Sequence, residues 1–280
     1  MTTTTSVTSA DGTTIGYLRL GQGPGLVIAH GGMGSGYNHV EQARALADAF
    51  TVYLPDRRGR GLSGPYRDGH SIRDDVEDLA AVISATGAPY LFGLSTGGLI
   101  ALEATRTRPG IRKAAIYEPA LSTAPTAWVA RLDRELAQGR TSAALVTAML
   151  ENEMGPRLLR YMPRRLLERL TDRLMRSEER KGAGGYVPLR ELAPTLHYDG
   201  ELLKEMNGRL DSFRDLETEV LLLNGAKSPA FQKAAVDALE KVLPHARRVE
   251  LPGLGHAGPW NAARGGDPER VARELRAFFT

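Results

Sequence analysis

No cysteine occurs in the chain, which excludes disulfides, thiolate nucleophiles and cysteine-ligated metals. That absence fits a reducing compartment. No apolar run approaches the roughly 20 residues needed to cross a bilayer, and Met1-Thr2-Thr3-Thr4-Thr5-Ser6 has neither the basic nor the apolar part of a signal peptide. The expectation is a soluble, cytoplasmic protein with no membrane partner. An excess of one charge is missing as well: 36 Lys and Arg against 33 Asp and Glu leave a formal +3, spread along the chain, so no nucleic-acid partner is read. The 6 histidines include no pair at metal-ligand spacing on one helix, and no nucleotide-binding fingerprint is present. Neither a metal nor a cofactor is expected.

What is present is a core-forming pattern. The chain has 280 residues and is 42% apolar, enough for one α/β domain carrying an insertion. Ser6 to Leu20 reads as two strands joined at the Asp11-Gly12 hairpin signal. Gly25 to His30 is a continuous apolar run of the kind a strand buried on both faces requires, and it breaks at His30-Gly31-Gly32-Met33-Gly34-Ser35-Gly36. A helix around Glu41 to Ala49 leads into a second buried strand, Thr51 to Asp56. The glycine- and arginine-rich turn from Asp56 to Gly64 lacks a Gly-Lys-Ser/Thr ending and is read as a solvated structural turn. Ser71 then caps a helix with Asp74 and Asp75 in its first turn and Val76, Leu79, Val82 and Ile83 inward. Strand, turn and helix alternate as in a parallel sheet covered on both faces.

The densest signal is Gly93-Leu94-Ser95-Thr96-Gly97, set between the apolar run from Pro89 and a helix-forming run through Leu102. A strand-to-helix turn of this kind holds a serine out as a nucleophile, and the two glycines remove Cβ atoms that would collide. A buried turn serine capping the next helix is the plainer alternative. Ile111 to Tyr117 supplies another strand, ending at Glu118-Pro119.

From there to about Glu205 the strand pattern disappears. Amphipathic helices carry Trp128, Leu132 and Leu136; Leu145 and Met149; and Leu158, Leu159, Met162, Leu166, Leu167, Leu170 and Leu174, each set spaced for one inward face. Lys181-Gly182-Ala183-Gly184-Gly185 reads as a flexible link. The many arginines of this stretch are read as a solvated face paired with Glu168, Asp172, Glu178 and Glu179. The sheet resumes at Glu219 to Gly225, followed by a helix from Pro229 to Leu243 and a last strand from Arg247 to Leu251. A glycine-flanked loop presents His256. Asp267-Pro268 opens the closing helix, with Val271, Leu275 and Phe278 inward.

The His30-Gly31-Gly32 loop, the Asp56 to Gly64 turn, the Gly93 to Gly97 elbow and Gly255-His256 occur in the order found in the α/β-hydrolase family, which the chain resembles over essentially its whole length. The resemblance implies an eight-stranded, mostly parallel sheet with helices on both faces and an inserted helical cap. The core would take residues 1–120 and 206–280, and the cap 121–205. It also implies a Ser–acid–His triad with Ser95 as nucleophile and His256 as base. His30 is expected to pack beneath the oxyanion loop. The N–H groups of Thr96 and Gly32, with Met33 as the alternative donor, would form the oxyanion hole.

The acid departs from the family's common place. Gly225-Ala226-Lys227-Ser228-Pro229, where most members carry Asp, has no carboxylate, and Ser228 stands in the expected position. Glu118 at the preceding strand end is the substitute, as in some haloalkane dehalogenases and zearalenone-type lactonases; Asp237 and Glu240 rank below it. Its plainer reading is a solvated hinge residue.

The reaction expected is cleavage of a small, apolar ester or lactone through an acyl-serine. Met33, Trp128 and Trp260 would bind substrate, with Leu132, Met162 and Tyr186 along the lid, although ordinary packing uses the same residue types. Thioester, amide or carbon–carbon cleavage, cyclisation, and a non-catalytic receptor of the same fold stay open.

Overall fold

In a computed structural model, which describes residues 2–121, 127–155, 157–182 and 184–280, eight strands form one sheet in the order β1-β2-β4-β3-β5-β6-β7-β8. The strands are β1 (Thr3–Thr8), β2 (Thr14–Gly21), β3 (Gly25–Ala29), β4 (Thr51–Pro55), β5 (Tyr90–Leu94), β6 (Lys113–Tyr117), β7 (Glu219–Gly225) and β8 (Ala246–Leu251). Only β1 with β2 and β2 with β4 pair antiparallel; all other neighbours are parallel. The hairpin turns at Gly12, whose φ is +86°, beside Asp11, whose carboxylate accepts from Thr13 N at 2.9 Å.

The apolar runs are explained by what covers them. Val27 and Ala29, Leu91, Ala114 and Ile116, and Val220 and Leu222 share one core, whereas Leu26 and Ile28, Phe92 and Leu94, Ala115 and Tyr117, and Leu221 and Leu223 belong to another. Successive residues point to opposite faces, and both faces are buried, so polar alternation disappears from the sequence. The helices are α1 (Val40–Leu46), α2 (Ile72–Thr86), α3 (Thr96–Thr107), α4 (Ala127–Ala137), α5 (Thr141–Glu151), α6 (Arg164–Lys181), α7 (Leu189–Leu192), α8 (Thr195–Met206), α9 (Ala230–Val242) and α10 (Pro268–Phe279). The first core takes residues from α2, α3, α8 and α9, and the second from α1 and α10. Ser71 and Asp74 close a capping box on α2, and Asp267 accepts from Arg270 N on α10.

Five helices, α4 to α8, lie between β6 and β7 and share a third apolar cluster built on Leu132, Ala144, Leu145, Ala148, Met175, Ala193 and Leu196. Residues 122–126, at the start of this segment, and Ala183, within the glycine link, lie outside the described residues. The inward face expected of α6 is corrected by its packing. Leu167 and Met175 are buried, but Leu166, Leu170 and Leu174 are exposed, as is Leu158 before it. The single buried stripe is narrower than the leucine spacing suggests. No helix of the described residues is long and apolar enough to cross a membrane.

Two core histidines make folding pH-dependent. His30 and His39 are each 0% exposed. Burial pushes His39 down to about 4; burial, then Arg60 and Arg57, holds His30 well below its usual value. Both are therefore neutral when folded and titrate near 6.5 once unfolded. Their contribution is fully present above pH 6.5 and declines as pH falls, because the unfolded chain takes up protons that the folded one refuses. Each histidine can remove up to about 1.4 kcal/mol per pH unit in that window. Urea midpoints should fall steadily from pH 7 to pH 4.5, and His39→Gln should flatten the decline.

Candidate active site

Strand β5 delivers Ser95 onto a turn that only a special backbone can make. Ser95 has φ 56° and ψ −121°, a left-handed conformation rare for a non-glycine residue. A Cβ at Gly93 would meet Gly97 O at 2.4 Å, and one at Gly97 would meet Ala29 O at 2.3 Å. These two positions require glycine. Ser95 N donates to Tyr117 O at 3.0 Å, and Ser95 O accepts from Ala120 N at 3.0 Å. The serine is thus fastened to the end of β6.

Glu118 is the next residue after that strand. Its φ is +43°, and it is 1% exposed, so the hinge reading, which needs a solvated carboxylate, does not hold. Glu118 N donates to Leu223 O at 3.0 Å. Its Oε1 accepts from Gly225 N at 2.7 Å, while Oε2 lies 2.7 Å from His256 Nδ1. A carboxylate can only accept, so Nδ1 carries the proton and Nε2 is left as the basic nitrogen. Tyr117 OH donates to Gly255 O at 2.7 Å; burial, then the Glu118 charge, pushes this phenol up and keeps it a donor. The end of β6 therefore holds both the serine backbone and the histidine loop. Among the described residues, neither the Ser95 hydroxyl nor His256 Nε2 makes a hydrogen bond. Ser228 is buried, and its Oγ has no partner among the described residues.

The glycine loop after β3 lies against the serine. A Cβ at Gly31 would sit 3.0 Å from Ser95 Cβ, and one at Gly32 would sit 3.8 Å from Thr96 Oγ1. Met33 follows with φ 53°. Thr96 opens α3, where the first amides of a helix have no internal acceptor. Among the described residues the N–H groups of Gly32, Met33 and Thr96 have no acceptor. His30 anchors the loop from below: its Nδ1 lies 2.8 Å from Gly31 O, and Arg57 N donates to its Nε2 at 3.0 Å. This is the neutral tautomer protonated at Nδ1.

The Asp56 to Gly64 turn differs from its expected form. It is hydrogen-bonded, but only its far end is solvated: Asp56, Arg57, Arg58 and Arg60 are all buried, while Gly61 and Leu62 are exposed. Arg58 pairs with Asp78 and Asp11, each at 2.6 Å. Arg57 pairs with Asp75 at 3.0 Å and with Asp199 at 2.6 Å. Burial opposes charge on Arg57, but Asp75 and Asp199 hold it firmly protonated. The signal lay in α2, whose Asp75 and Asp78 supply the counter-charges. Nothing in the sequence marked Asp199, one carboxylate within a helix that periodicity does not single out.

Of the residues expected to line the pocket, Met33 and Trp128 come together on the third apolar cluster, and Leu132 forms its interior. Trp260 packs instead with the core under α1 and α10. Tyr186 is also elsewhere, edge-on to Tyr37 with ring centroids 4.9 Å apart and accepting from Asn261 Nδ2 at 3.0 Å.

The model of the alpha/beta hydrolase family matches residues 26–274. A pimeloyl-[acyl-carrier protein] methyl ester esterase of Xanthomonas campestris is 28% identical over 265 residues, covering 92% of this chain and 96% of that one. An alpha/beta hydrolase of Sphaerobacter thermophilus superposes with a TM-score of 0.78 at 30% identity, covering 99% of this chain and 100% of the other. A thermophilic esterase of Thermogutta terrifontis shares the fold, with a TM-score of 0.74 at 19% identity over 99% of this chain and 98% of that one.

Proposed function

The chain belongs to the α/β hydrolase family, and from that premise we propose that it is a serine hydrolase cleaving a small carboxylic ester or lactone. The observation that carries the reading is the 2.7 Å contact between the buried Glu118 carboxylate and the half-buried His256 at the strand end to which the Ser95 backbone is tied. A serine hydroxyl needs a base to become a nucleophile, and a histidine needs an acceptor at Nδ1 to present the correct nitrogen.

The steps follow from these groups. Ser95 Oγ attacks the carbonyl carbon while His256 Nε2 takes its proton. The N–H groups of Thr96 and of Gly32, or of Met33, receive the negative oxygen of the tetrahedral intermediate. The imidazolium returns its proton to the leaving alkoxide, giving acyl-Ser95. A water then loses its proton to the same nitrogen and releases the acid. Helices α4 to α8, between β6 and β7, act as a cap over this site, with Met33 and Trp128 at their contact with the glycine loop. Esterase relatives and the acceptor-free amides beside Ser95 support the assignment.

A fluorophosphonate probe combined with p-nitrophenyl esters, lactones and acyl thioesters tests it. Labelling of Ser95 at one probe per chain and turnover of an ester or lactone are expected. A folded protein that stays unlabelled is a receptor. A labelled protein that turns over only thioesters replaces the substrate class.

A further inference from the structure

His256 stands in a four-residue turn, Gly255-His256-Ala257-Gly258, closed by Gly258 N donating to Gly255 O at 2.9 Å. The same carbonyl accepts from Tyr117 OH at 2.7 Å. Tyr117 is 0% exposed, and its hydroxyl is seated against the turn, since a Cβ on Gly258 would meet it at 2.5 Å. Lys227 N and Asp267 N hold the ends of the loop, through Leu254 O and Gly258 O. Among the described residues, the side chains that bond to the turn itself are those of Tyr117 and Glu118, one on the backbone and one on the ring. Two adjacent residues thus grip one turn that lies 138 positions further along the chain.

Neighbouring side chains of a regular strand cannot do this, because they point to opposite faces. Tyr117 is the last residue of β6 and belongs to the core under α1 and α10. Glu118, one residue on, has left the extended region with φ +43°, a costly conformation that persists where the surroundings impose it. That departure brings the carboxylate round to the turn that the phenol already holds. The carboxylate has little freedom of its own, since its other oxygen accepts from Gly225 N at 2.7 Å and Glu118 N is tied to Leu223 O at 3.0 Å. Alignment of the imidazole on Glu118 therefore depends on where the turn lies, and its side-chain anchor in the core is the phenol.

We infer that Tyr117 is a positioning residue for the reaction: by holding Gly255 O, its hydroxyl keeps the His256 ring on the Glu118 carboxylate, in the orientation that presents Nε2 to Ser95. The inference rests on the serine-hydrolase reading and adds to it a residue that touches neither substrate nor reacting atoms. A catalytic group misplaced by about 1 Å costs on the order of a hundredfold in rate. Removing the phenol oxygen leaves Gly255 O bonded to Gly258 N, so no buried acceptor is stranded. The turn is loosened without being unfolded.

Tyr117→Phe is expected to lower kcat about ten- to a hundredfold with KM unchanged, measured on the p-nitrophenyl ester or lactone that the wild type turns over best. In the Glu118→Gln background the same substitution should cost less than about twofold, because the alignment it protects is already lost. A third readout is independent of turnover. Proton NMR of the wild type should show the His256 Nδ1–H far downfield, as for an N–H held on a carboxylate, and Tyr117→Phe should broaden or abolish that resonance. A phenol that serves packing alone would lower Tm and leave kcat and the resonance in place. Unchanged kcat, equal losses in the two backgrounds, or an unaltered resonance overturns the inference while leaving ester hydrolysis standing. A wild-type protein that turns over no substrate, with Ser95 unlabelled, removes the hydrolase reading and this inference together. Should Tyr117→Phe not fold, Gly258→Ala decides: its Cβ is driven against the phenol oxygen, kcat should fall by a similar factor, and unchanged kcat overturns the inference.

Discussion

Glu118→Gln is expected to lower kcat by about three to four orders of magnitude, whereas Ser228→Ala should stay within about twofold of wild type. The size of the first effect follows from the two bonds that Glu118 accepts, one from Gly225 N and one at His256 Nδ1. Glutamine has one accepting oxygen for these two places. If the amide oxygen faces Gly225, its N–H₂ faces Nδ1, and the imidazole must move its proton to Nε2. Nε2 can then no longer take the proton from Ser95. If the amide turns over, two N–H groups oppose each other at Gly225 in a site that excludes water. The first arrangement removes the working tautomer; the second keeps it, but with that donor–donor clash and without a negative charge beside the imidazolium. Among the described residues Ser228 makes no hydrogen bond through its hydroxyl, so alanine strands nothing, and its Tm should be unchanged or slightly raised. Steady-state kinetics on one ester measures both. Near-normal turnover by Glu118→Gln would remove Glu118 from the triad.

Ser95→Ala carries the largest effect, a loss of roughly 10⁶ in kcat together with complete loss of fluorophosphonate labelling. His256→Ala should cost a similar amount, because a nucleophile without its base is an ordinary alcohol. The double variant should be no worse than either single one, since the two side chains act as one unit. Residual hydrolysis above the uncatalysed rate would then report what the amides of Gly32 and Thr96 contribute alone. Multiplicative losses in the double variant would instead show that the two residues serve separate steps.

The sheet was readable from its buried strands because each is a short, unbroken apolar run between turn signals. Predicted and observed strand ends differ by a residue or two in most cases, as between Ile111 and Lys113 at β6 or Arg247 and Ala246 at β8. The first strand begins earlier than expected, at Thr3, since an exposed edge strand of threonines lacks an apolar pattern. Within the candidate site, the elbow was legible because glycine is the only residue that fits at Gly93 and Gly97. Glu118 was singled out as the candidate acid through the family resemblance, because the place where most members carry Asp has no carboxylate here, and its contact with His256 Nδ1 supports that role. Residues whose roles depend on neighbours far away in the chain were not legible. Arg57 and Arg58 read as solvent-facing until Asp75, Asp78, Asp11 and Asp199 surround them, and the leucines of α6 read as core although the helix buries only one narrow stripe. Trp260 and Tyr186 show the same limit, since an aromatic side chain on a loop gives no sign of which apolar cluster receives it.

The attachment of Ser95 to the end of β6 has a consequence for biogenesis. Ser95 and Glu118 belong to one β5-α3-β6 unit whose strands pair in parallel from Tyr90 to Tyr117, so the hydroxyl and the carboxylate are placed by neighbouring pieces of chain. The imidazole arrives 138 positions after the carboxylate. On the proposed mechanism, a ribosome-bound chain carries an alcohol with no proton acceptor during translation, and ester hydrolysis is expected to begin only once the segment bearing His256 has emerged and docked.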